Sequence, residues 1–358
     1  MSDEQLLTII IPTLNESKVL PTLLADLASQ QEVELEVIIA DGGSSDNTKE
    51  LVEQAGQKLV TSQPGRAKQM NSAAAVAATE SMLLFLHADS ELPDPNLLCQ
   101  ALKVFGEQKD KLERDQLAGH FSLRFARSKP GSSLAYLYYE EKTKLNRVGT
   151  TNGDQGLLIS KPFFDELGGF DEAFPFLEDQ ILAEKIRKAG QLVTLPGSLT
   201  TSARRFEKEG FARRMILSAM IMGLHAMHFK PFFDRAPQIY KAQTESDRLQ
   251  LAQFFKLYQD LAWSTGLIQY FRNWLTVGRY VRQNMWQHFF FVDVVLRKVL
   301  SVKKNHVLAV YDRFVRPITD NIAFDLLGAI ITFTWFMLSW GYFAVCEKGN
   351  TGAPSARA

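Results

Sequence analysis

The chain has 358 residues, 46% of them hydrophobic, with 40 basic and 40 acidic side chains and a formal net charge of zero. That balance hides an asymmetry: residues 1–200 carry 19 basic and 29 acidic side chains, and the remainder carries 21 and 11. A nucleic-acid enzyme would place its positive field around the catalytic half, so that partner is set aside, whereas a basic half with apolar segments suits an anionic membrane surface.

The length allows a core of roughly 200 residues plus attachments. Cys99 and Cys346 are too few and too far apart for a disulfide framework or a metal cluster. The start, Met1 to Gln5, carries Asp3 and Glu4 and lacks the basic, then apolar, character of an export signal. A cytoplasmic main domain is the resulting expectation.

In chain order, Leu6–Ile11 is a short apolar run closed by Pro12, followed by a helical pattern at Val19, Leu20, Leu23, Leu24 and Leu27. Leu35–Ala40 predicts a second strand, which ends at the turn Asp41-Gly42-Gly43-Ser44-Ser45-Asp46. Leu51, Val52 and Ala55 mark a helix stopping near Gly56, and Leu59–Thr61 a third strand. The Ala-rich segment Ala67–Ala78 predicts a helix leading into the strand Met82–Leu86. Strands alternating with helices of ten to fifteen residues make a mostly parallel sheet covered on both faces. Beyond about residue 100 the alternation weakens. Asn96–Phe105 predicts a helix, Glu107–Asp115 a solvated connection, and Gly119–Phe125 and Gly156–Ile159 further strands. Leu177–Ala189 predicts a helix, and Leu192–Leu195 and Ser198–Ser202 two last strands.

Several segments put chemistry at strand ends. The Asp41 turn has glycines that permit tight geometry and close ligand approach. Asp41 could accept hydrogen bonds from a nucleobase or ribose, while Asp46 caps the next helix. Gly65 precedes Arg66 and Lys68, which either face phosphates at a helix N-terminus or remain solvated surface. The spacing there is not that of a P-loop. Asp89, at the end of the fourth strand, is a hard oxygen ligand suited to Mg2+ or Mn2+, and His87 projects to the same side. Asn152, Asp154 and Gln155 form a polar loop that either contacts the hydroxyls of a transferred sugar or acceptor or serves as a plain turn. Glu178 and Asp179 head a helix; either they cap it, or Asp179 acts as a base with Glu178 positioning. Arg204 and Arg205 either clamp a diphosphate or mark a basic edge beside a membrane.

From Phe211 onward the texture is helical, apolar and basic, and Phe211–Phe229 and Trp286–Leu300 either lie along a membrane or pack as a helical subdomain. Leu326–Cys346 is an uncharged run of 21 residues, long enough to span a hydrocarbon core, with a buried helix as its alternative. Lys303, Lys304, Arg313 and Arg316 upstream would keep the N-terminal part cytoplasmic.

Taken in order, these segments resemble a family 2 glycosyltransferase of the GT-A type over roughly residues 6–205. Ile9-Ile10-Ile11-Pro12-Thr13-Leu14-Asn15-Glu16 resembles the family's opening strand and donor-site loop, which brings in Pro12, Asn15 and Glu16. Asp41 to Thr48 is similar to its nucleotide-recognition turn, with Asp41 against the base and Gly43 beside it. Gly65-Arg66-Ala67 with Asn71 resembles the next donor segment. His87-Ala88-Asp89 occupies the position of the DxD metal motif, with His87 in place of its first Asp. Glu178-Asp179 matches the ED pair, whose Asp is the catalytic base in inverting members.

The resemblance implies an α/β GT-A fold with a mostly parallel sheet, followed by a helical C-terminal region. It divides the chain into a catalytic domain at 1–208, a membrane-proximal helical region at 209–320, a membrane-spanning or anchoring helix at 321–347 and a tail at 348–358. It implies transfer of a sugar, with inversion and aided by Mn2+ or Mg2+, from a nucleoside-diphosphate sugar to a small-molecule or lipid-like hydroxyl acceptor. The Gln-x-x-Arg-Trp signature of processive synthases is absent, and Thr201 to Phe206 stands in its region, so a single transfer is expected. The rivals are a nucleotidyltransferase, which would release pyrophosphate, and a membrane-attached scaffold with a dead donor site.

Overall fold

In a computed structural model, residues 6–128, 134–174, 176–243 and 248–347 are described. The chain divides into two compact units, the first ending at Ala203 and the second beginning at Arg204.

The first unit runs β1 (Leu7–Thr13), α1 (Leu20–Ala28), β2 (Leu35–Asp41), α2 (Thr48–Gln54), β3 (Lys58–Thr61), α3 (Arg66–Ala75), β4 (Met82–Phe85), β5 (Ser90–Glu91), α4 (Leu97–Leu112), β6 (Leu117–Ala126) and α5 (Leu134–Thr143). A 3-10 turn (Gly153–Gln155), β7 (Leu157–Ser160), α6 (Lys161–Glu166), α7 (Glu178–Ala189) and β8 (Gln191–Ser202) complete it. The eight strands form one sheet in the order β3-β2-β1-β4-β7-β6-β8-β5. The β3-β2-β1-β4 half is parallel throughout and β6 is parallel to β8, whereas β7 runs antiparallel to both its neighbours and β5 antiparallel to β8. The sheet is therefore α/β in character and mostly parallel.

β1 is buried at every position, as a strand covered on both faces requires. Pro12 fits inside this central strand because of where β4 stops. Ile10 O accepts from Leu86 N, so the backbone groups of even-numbered residues face β4. The β1–β4 register ends at Ile10 and Phe85, and the N–H that Pro12 lacks would have met no ladder partner. α3 packs Ala67, Met70, Ala73 and Ala74 against the sheet, and its alanines let the helix sit close to it. Phe85, Phe164 and Phe170 close the core with ring centroids 4.9–5.5 Å apart.

Two local expectations change. The charged stretch Glu107–Asp115 is mostly helix, because α4 continues to Leu112 on one buried face, Leu97, Leu98, Ala101 and Phe105, with its charges turned to solvent. The two short final strands are one strand, β8, whose pairing with β6 shifts register between His120 and Ser122, at the break expected near Pro196.

The second unit contains α8 (Arg204–Glu209), α9 (Phe211–Ala226), α10 (Lys230–Lys241), α11 (Ala252–Trp263), α12 (Leu267–Gln283), α13 (Trp286–Leu300), α14 (His306–Val310), a π-helical turn (Tyr311–Val315), α15 (Arg316–Thr319) and α16 (Ile322–Glu347). Phe232, Phe233, Phe254, Phe255, Tyr258 and Phe290 are buried among these helices. α12 and α16 touch backbone to backbone: a Cβ on Gly278 would lie 2.1 Å from Asp325 O and 2.4 Å from Ala329 N. Neither atom can yield without parting the helices. Gly278→Ala gains about 1 kcal/mol of helix propensity but overpacks a rigid contact, a cost of about 1–3 kcal/mol or more. A lower thermal midpoint is expected for Gly278→Ala, and an unchanged or raised midpoint would refute this close contact.

Candidate active site

The loops that follow β1, β2 and β4 leave the same edge of the sheet because those strands are parallel, and this carboxyl edge is where open α/β sheets bind ligands. β7 is antiparallel to β4, with Leu157 opposite Phe85, so the 3-10 turn before it arrives at that same edge.

Asn15 and the Asp41 turn form one interlocked structure. Asn15 has φ of 58°, its Oδ1 accepts from Ser45 N at 2.8 Å, and its own N–H donates to Ser44 Oγ at 2.9 Å. Glu16 N donates to Thr48 Oγ1 and Ser17 N to Asp46 Oδ2. Hydrogen bonds from Ser17 and Thr48 hold the Asp46 carboxyl down to about 2. Asp41 Oδ2 accepts from Gly43 N and Ser44 N at 2.8 and 2.9 Å, and Lys49 Nζ lies 3.6 Å away. Burial pushes the Asp41 pKa up, but these partners outweigh it and hold the carboxyl below its usual range. The Asp41 side chain is 0% exposed. Its visible role is to hold the turn, which is narrower than the direct base contact expected from the sequence. Gly43 has φ of +93° with open space where a Cβ would point.

Gln69 also belongs to this edge and escaped the sequence reading. Its buried amide donates to Thr13 O and Ala40 O at 2.8 and 2.7 Å, and its Oε1 accepts from Gly65 N. The available signal was one polar residue on the inward face of an alanine-rich helix.

Arg66 is the first residue of α3 and gathers the remaining candidates. Its Nε is 3.0 Å from Glu178 Oε1, and its Nη1 is 3.4 Å from His87 Nε2. Desolvation works against its charge, but Glu178, Asp179, Asp154 and Asp89 all act on it and more than compensate. Residues far apart in the chain, at 66, 89, 154, 178 and 179, thus share one field. Lys68 is exposed and lies beside Gly65, 3.8 Å from where a Cβ would be.

Glu178 is buried. Burial pushes its carboxyl above the ordinary range; Arg66 pulls it back without cancelling the rise, and the adjacent Asp179 adds to it. Asp179 is half-buried; its Oδ2 accepts from Gly153 N and its Oδ1 from Gln180 N. Leu177, just before this pair, has φ of 74°, a left-handed conformation costly for a leucine. A cavity of about 30 Å³ lies here, lined among others by His87, Asn152, Gly153, Glu178 and Asp179.

Two expectations need correction. Gln155 is completely buried: its Nε2 donates to Phe121 O at 2.9 Å and lies 2.9 Å from His120 Nδ1, and its Oε1 accepts from Asn152 N. Both ends are committed, so it braces the turn and does not reach a sugar or acceptor. His87 Nδ1 is 2.7 Å from Asp154 Oδ1, and its other nitrogen faces the Arg66 guanidinium, a poor environment for a metal cation. Asp89 differs: it is half-buried and its carboxylate accepts no hydrogen bond among the described residues. One open carboxylate fits Mg2+ or Mn2+ when substrate phosphates and water supply the other ligands. Asn152 heads the 3-10 turn in a capping box with Gln155 and lines the cavity. Arg204 and Arg205 fall in the second unit, exposed on α8.

The parallel half-sheet with its loops at one edge, continued by a mixed half, is the α/β architecture of the GT-A type. Residues 8–168 match the family model described as Glycosyl transferase family 2, a little under half of the chain. A PGL/p-HBAD biosynthesis glycosyltransferase of Mycobacterium bovis (strain BCG / Pasteur 1173P2) is 34% identical over 109 residues, covering 28% of this chain and 42% of that protein. One from Mycobacterium tuberculosis (strain ATCC 25177 / H37Ra) matches over the same shares, so the chain spans under half the length of these relatives. S. aureus TarS 1-349 in complex with UDP has 17% identity and a TM-score of 0.46, covering 86% of this chain and 91% of that one. Mannosyltransferase PcManGT from Pyrobaculum calidifontis, in complex with GDP-Man and Mn2+, has 17% identity and a TM-score of 0.43, covering 92% and 87%.

Two tests follow from this geometry. A Cβ on Gly153 would lie 2.8 Å from His87 Nε2 and 3.5 Å from Asp179 Oδ2, and the His87 ring is pinned by Asp154. Gly153→Ala is expected to displace both and lower the thermal midpoint, at an overpacking cost of about 1–3 kcal/mol, with the circular dichroism spectrum intact; a wild-type midpoint would count against the arrangement. The second concerns His120, fully buried, whose pKa is lowered from 6.5 to about 4 chiefly by burial. The unfolded chain binds its proton first as pH falls, so the neutral ring's contribution is complete above pH 6.5 and is lost progressively toward pH 4. That linkage is worth about 3 kcal/mol. Urea titrations of wild type and His120→Gln should differ in pH slope across this window, and parallel slopes would reject a neutral buried ring.

Proposed function

We propose that this protein is a glycosyltransferase that moves a sugar from a nucleoside-diphosphate sugar to a hydroxyl acceptor. The observation that carries the reading is the convergence of Glu178, Asp179, Asp154 and Asp89 on Arg66, beside the Asn15–Asp41 turn. The family match over residues 8–168 supports it.

In this reading the nucleoside lies against the turn that Asp41 and Asn15 hold, near Pro12, Glu16 and Gly43. The diphosphate is drawn toward the N-terminus of α3, where Arg66 and Lys68 supply positive charge alongside unpaired helical amides. A divalent cation bound by Asp89 and the donor's own phosphate oxygens would neutralise charge on the departing diphosphate.

Asp179 is the base. It removes the acceptor hydroxyl's proton while the oxygen attacks the anomeric carbon from the face opposite the diphosphate, which inverts that centre. The N–H groups of Gly153 and Gln180 hold the carboxylate in place. Glu178 pairs with Arg66 and keeps that cation aimed at the cleft. Asn152, which lines the cavity, and Asp154 are assigned to sugar or acceptor hydroxyls. Arg204 and Arg205, on the second unit, are assigned to an anionic surface.

Among the described residues, α16 is the one helix long and apolar enough to cross a membrane, and 17% of its most apolar stretch is buried. With the basic charge of the second half, this supports a membrane-associated enzyme, a cytoplasmic catalytic unit and a lipid-like acceptor.

Nucleotide sugars incubated with the protein and Mn2+ or Mg2+ should release nucleoside diphosphate. Asp179→Asn, isosteric but unable to take the proton, should lower that rate by about 10²–10⁴-fold with the fold intact. Undiminished turnover in Asp179→Asn would remove Asp179 as base, and pyrophosphate release from a nucleoside triphosphate would replace the transfer reaction itself.

A further inference from the structure

Both ends of α16 are tied down inside the second unit by buried carboxylates. At the near end, Asp325 accepts from Arg279 Nε at 3.1 Å and from Arg282 Nε, both on α12. At the far end, Glu347 accepts from Ala252 N at 2.8 Å and Leu251 N at 3.1 Å and pairs with Arg213. The two ties are separated by about 33 Å of helix at 1.5 Å per residue.

Between them, α12 and α11 cover one side of α16. Trp274 of α12 packs on Phe333 and Phe336. Tyr258 of α11 packs on Phe336, and Phe255 on Phe336 and Phe343. α11 therefore tracks α16 from its middle to its far end. The opposite side of α16 is bare, with Ile330 57%, Leu338 70% and Val345 74% exposed.

A bilayer crossed by α16 would have to be crossed by α11 beside it. Yet Lys256 and Asp260, which bracket Tyr258 level with the middle of α16, form an exposed pair with side chains 67% and 60% accessible. In a spanning arrangement this pair would stand at hydrocarbon depth facing outward, where ionised side chains are rare and costly.

Exposed apolar side chains also occur beyond α16. Trp263, Ile268 and Phe271 are exposed around the α11–α12 junction. Phe314 and Ile318 are exposed among the exposed cations Lys303, Lys304, Arg313 and Arg316. Apolar side chains interleaved with cations complement an anionic headgroup layer.

We propose that α16 does not span but lies in the plane of an anionic membrane, its bare side sunk into the headgroup–acyl boundary and both its ends on one side of the bilayer. The inference rests on the membrane association proposed above and replaces a spanning anchor with an in-plane one.

The test uses the full chain. Cys99→Ser leaves Cys346, exposed at the far end of α16, as the sole thiol. A second form, Cys99→Ser with Cys346→Ser and Asn321→Cys, moves the thiol to the near end, at an exposed position off the bare side. In sealed cytoplasmic-side-out membrane vesicles from expressing cells, a membrane-impermeant maleimide should label both positions without detergent. Cys346 labelled in intact spheroplasts but protected in those vesicles would overturn the proposal in favour of a spanning helix. Separately, the purified protein should float with vesicles of phosphatidylcholine and phosphatidylglycerol. Arg313→Gln with Arg316→Gln should weaken that partition on the order of tenfold or more. Failure to float, with a dimeric mass by light scattering, would assign the apolar surface to a second copy and defeat the membrane association itself.

Discussion

The Arg66–Glu178 ion pair is the contact on which the rest of the site depends. Four carboxylates placed together without a cation would repel one another. Arg66 makes the cluster tolerable, yet its side chain remains 46% exposed. The cation can thus satisfy the carboxylates behind it and still present charge outward. Two pieces of local structure set this up. Arg66 opens α3, so its stem starts at the sheet's carboxyl edge, and Glu178 opens α7. The close approach of two helix starts is why residues more than a hundred positions apart meet at 3.0 Å.

Much of this was legible in the chain. Continuous apolar runs ending in Asp41 and at Asp89 located the strands and their exits, because a strand covered on both faces has no polar alternation to blur its ends. The helix headed by Glu178 and Asp179 was visible from Ile181, Leu182 and Ile186 at helical spacing. What stayed hidden was which polar residues face inward. Gln155 read as a sugar or acceptor contact or a plain turn residue and Gln69 did not stand out, yet both brace backbone carbonyls across strands that are distant in sequence. Likewise, nothing near His87 in the chain announces its pairing with Asp154, 67 residues on. Such partnerships follow from antiparallel β7 returning its turn to the tip of β4, which is topology and not composition. The charged stretch after Phe105 misled for a related reason, since a helix with one buried face can carry many solvated charges on the other.

The second unit repeats the same economy of buried charge in a different setting. Asp325 and Glu347 flank an apolar run that looks, by length alone, like a solitary anchor. Their arginine and backbone partners make that helix a packed member of a bundle, with one side committed and the other bare. The Gly278–Gly328 contact sharpens this, because helices that meet at backbone distance have little freedom to roll.

Leu177 carries one further consequence. A leucine held at φ of 74° costs about 1–2 kcal/mol relative to a relaxed backbone, and the residue immediately following it is Glu178. Such a conformation persists only where the surrounding structure holds the chain, and the Arg66–Glu178 pair is one such contact, a single residue away. Because Glu178 and Asp179 are consecutive at the head of one helix, the turn at Leu177 sets the direction in which both acids leave the backbone.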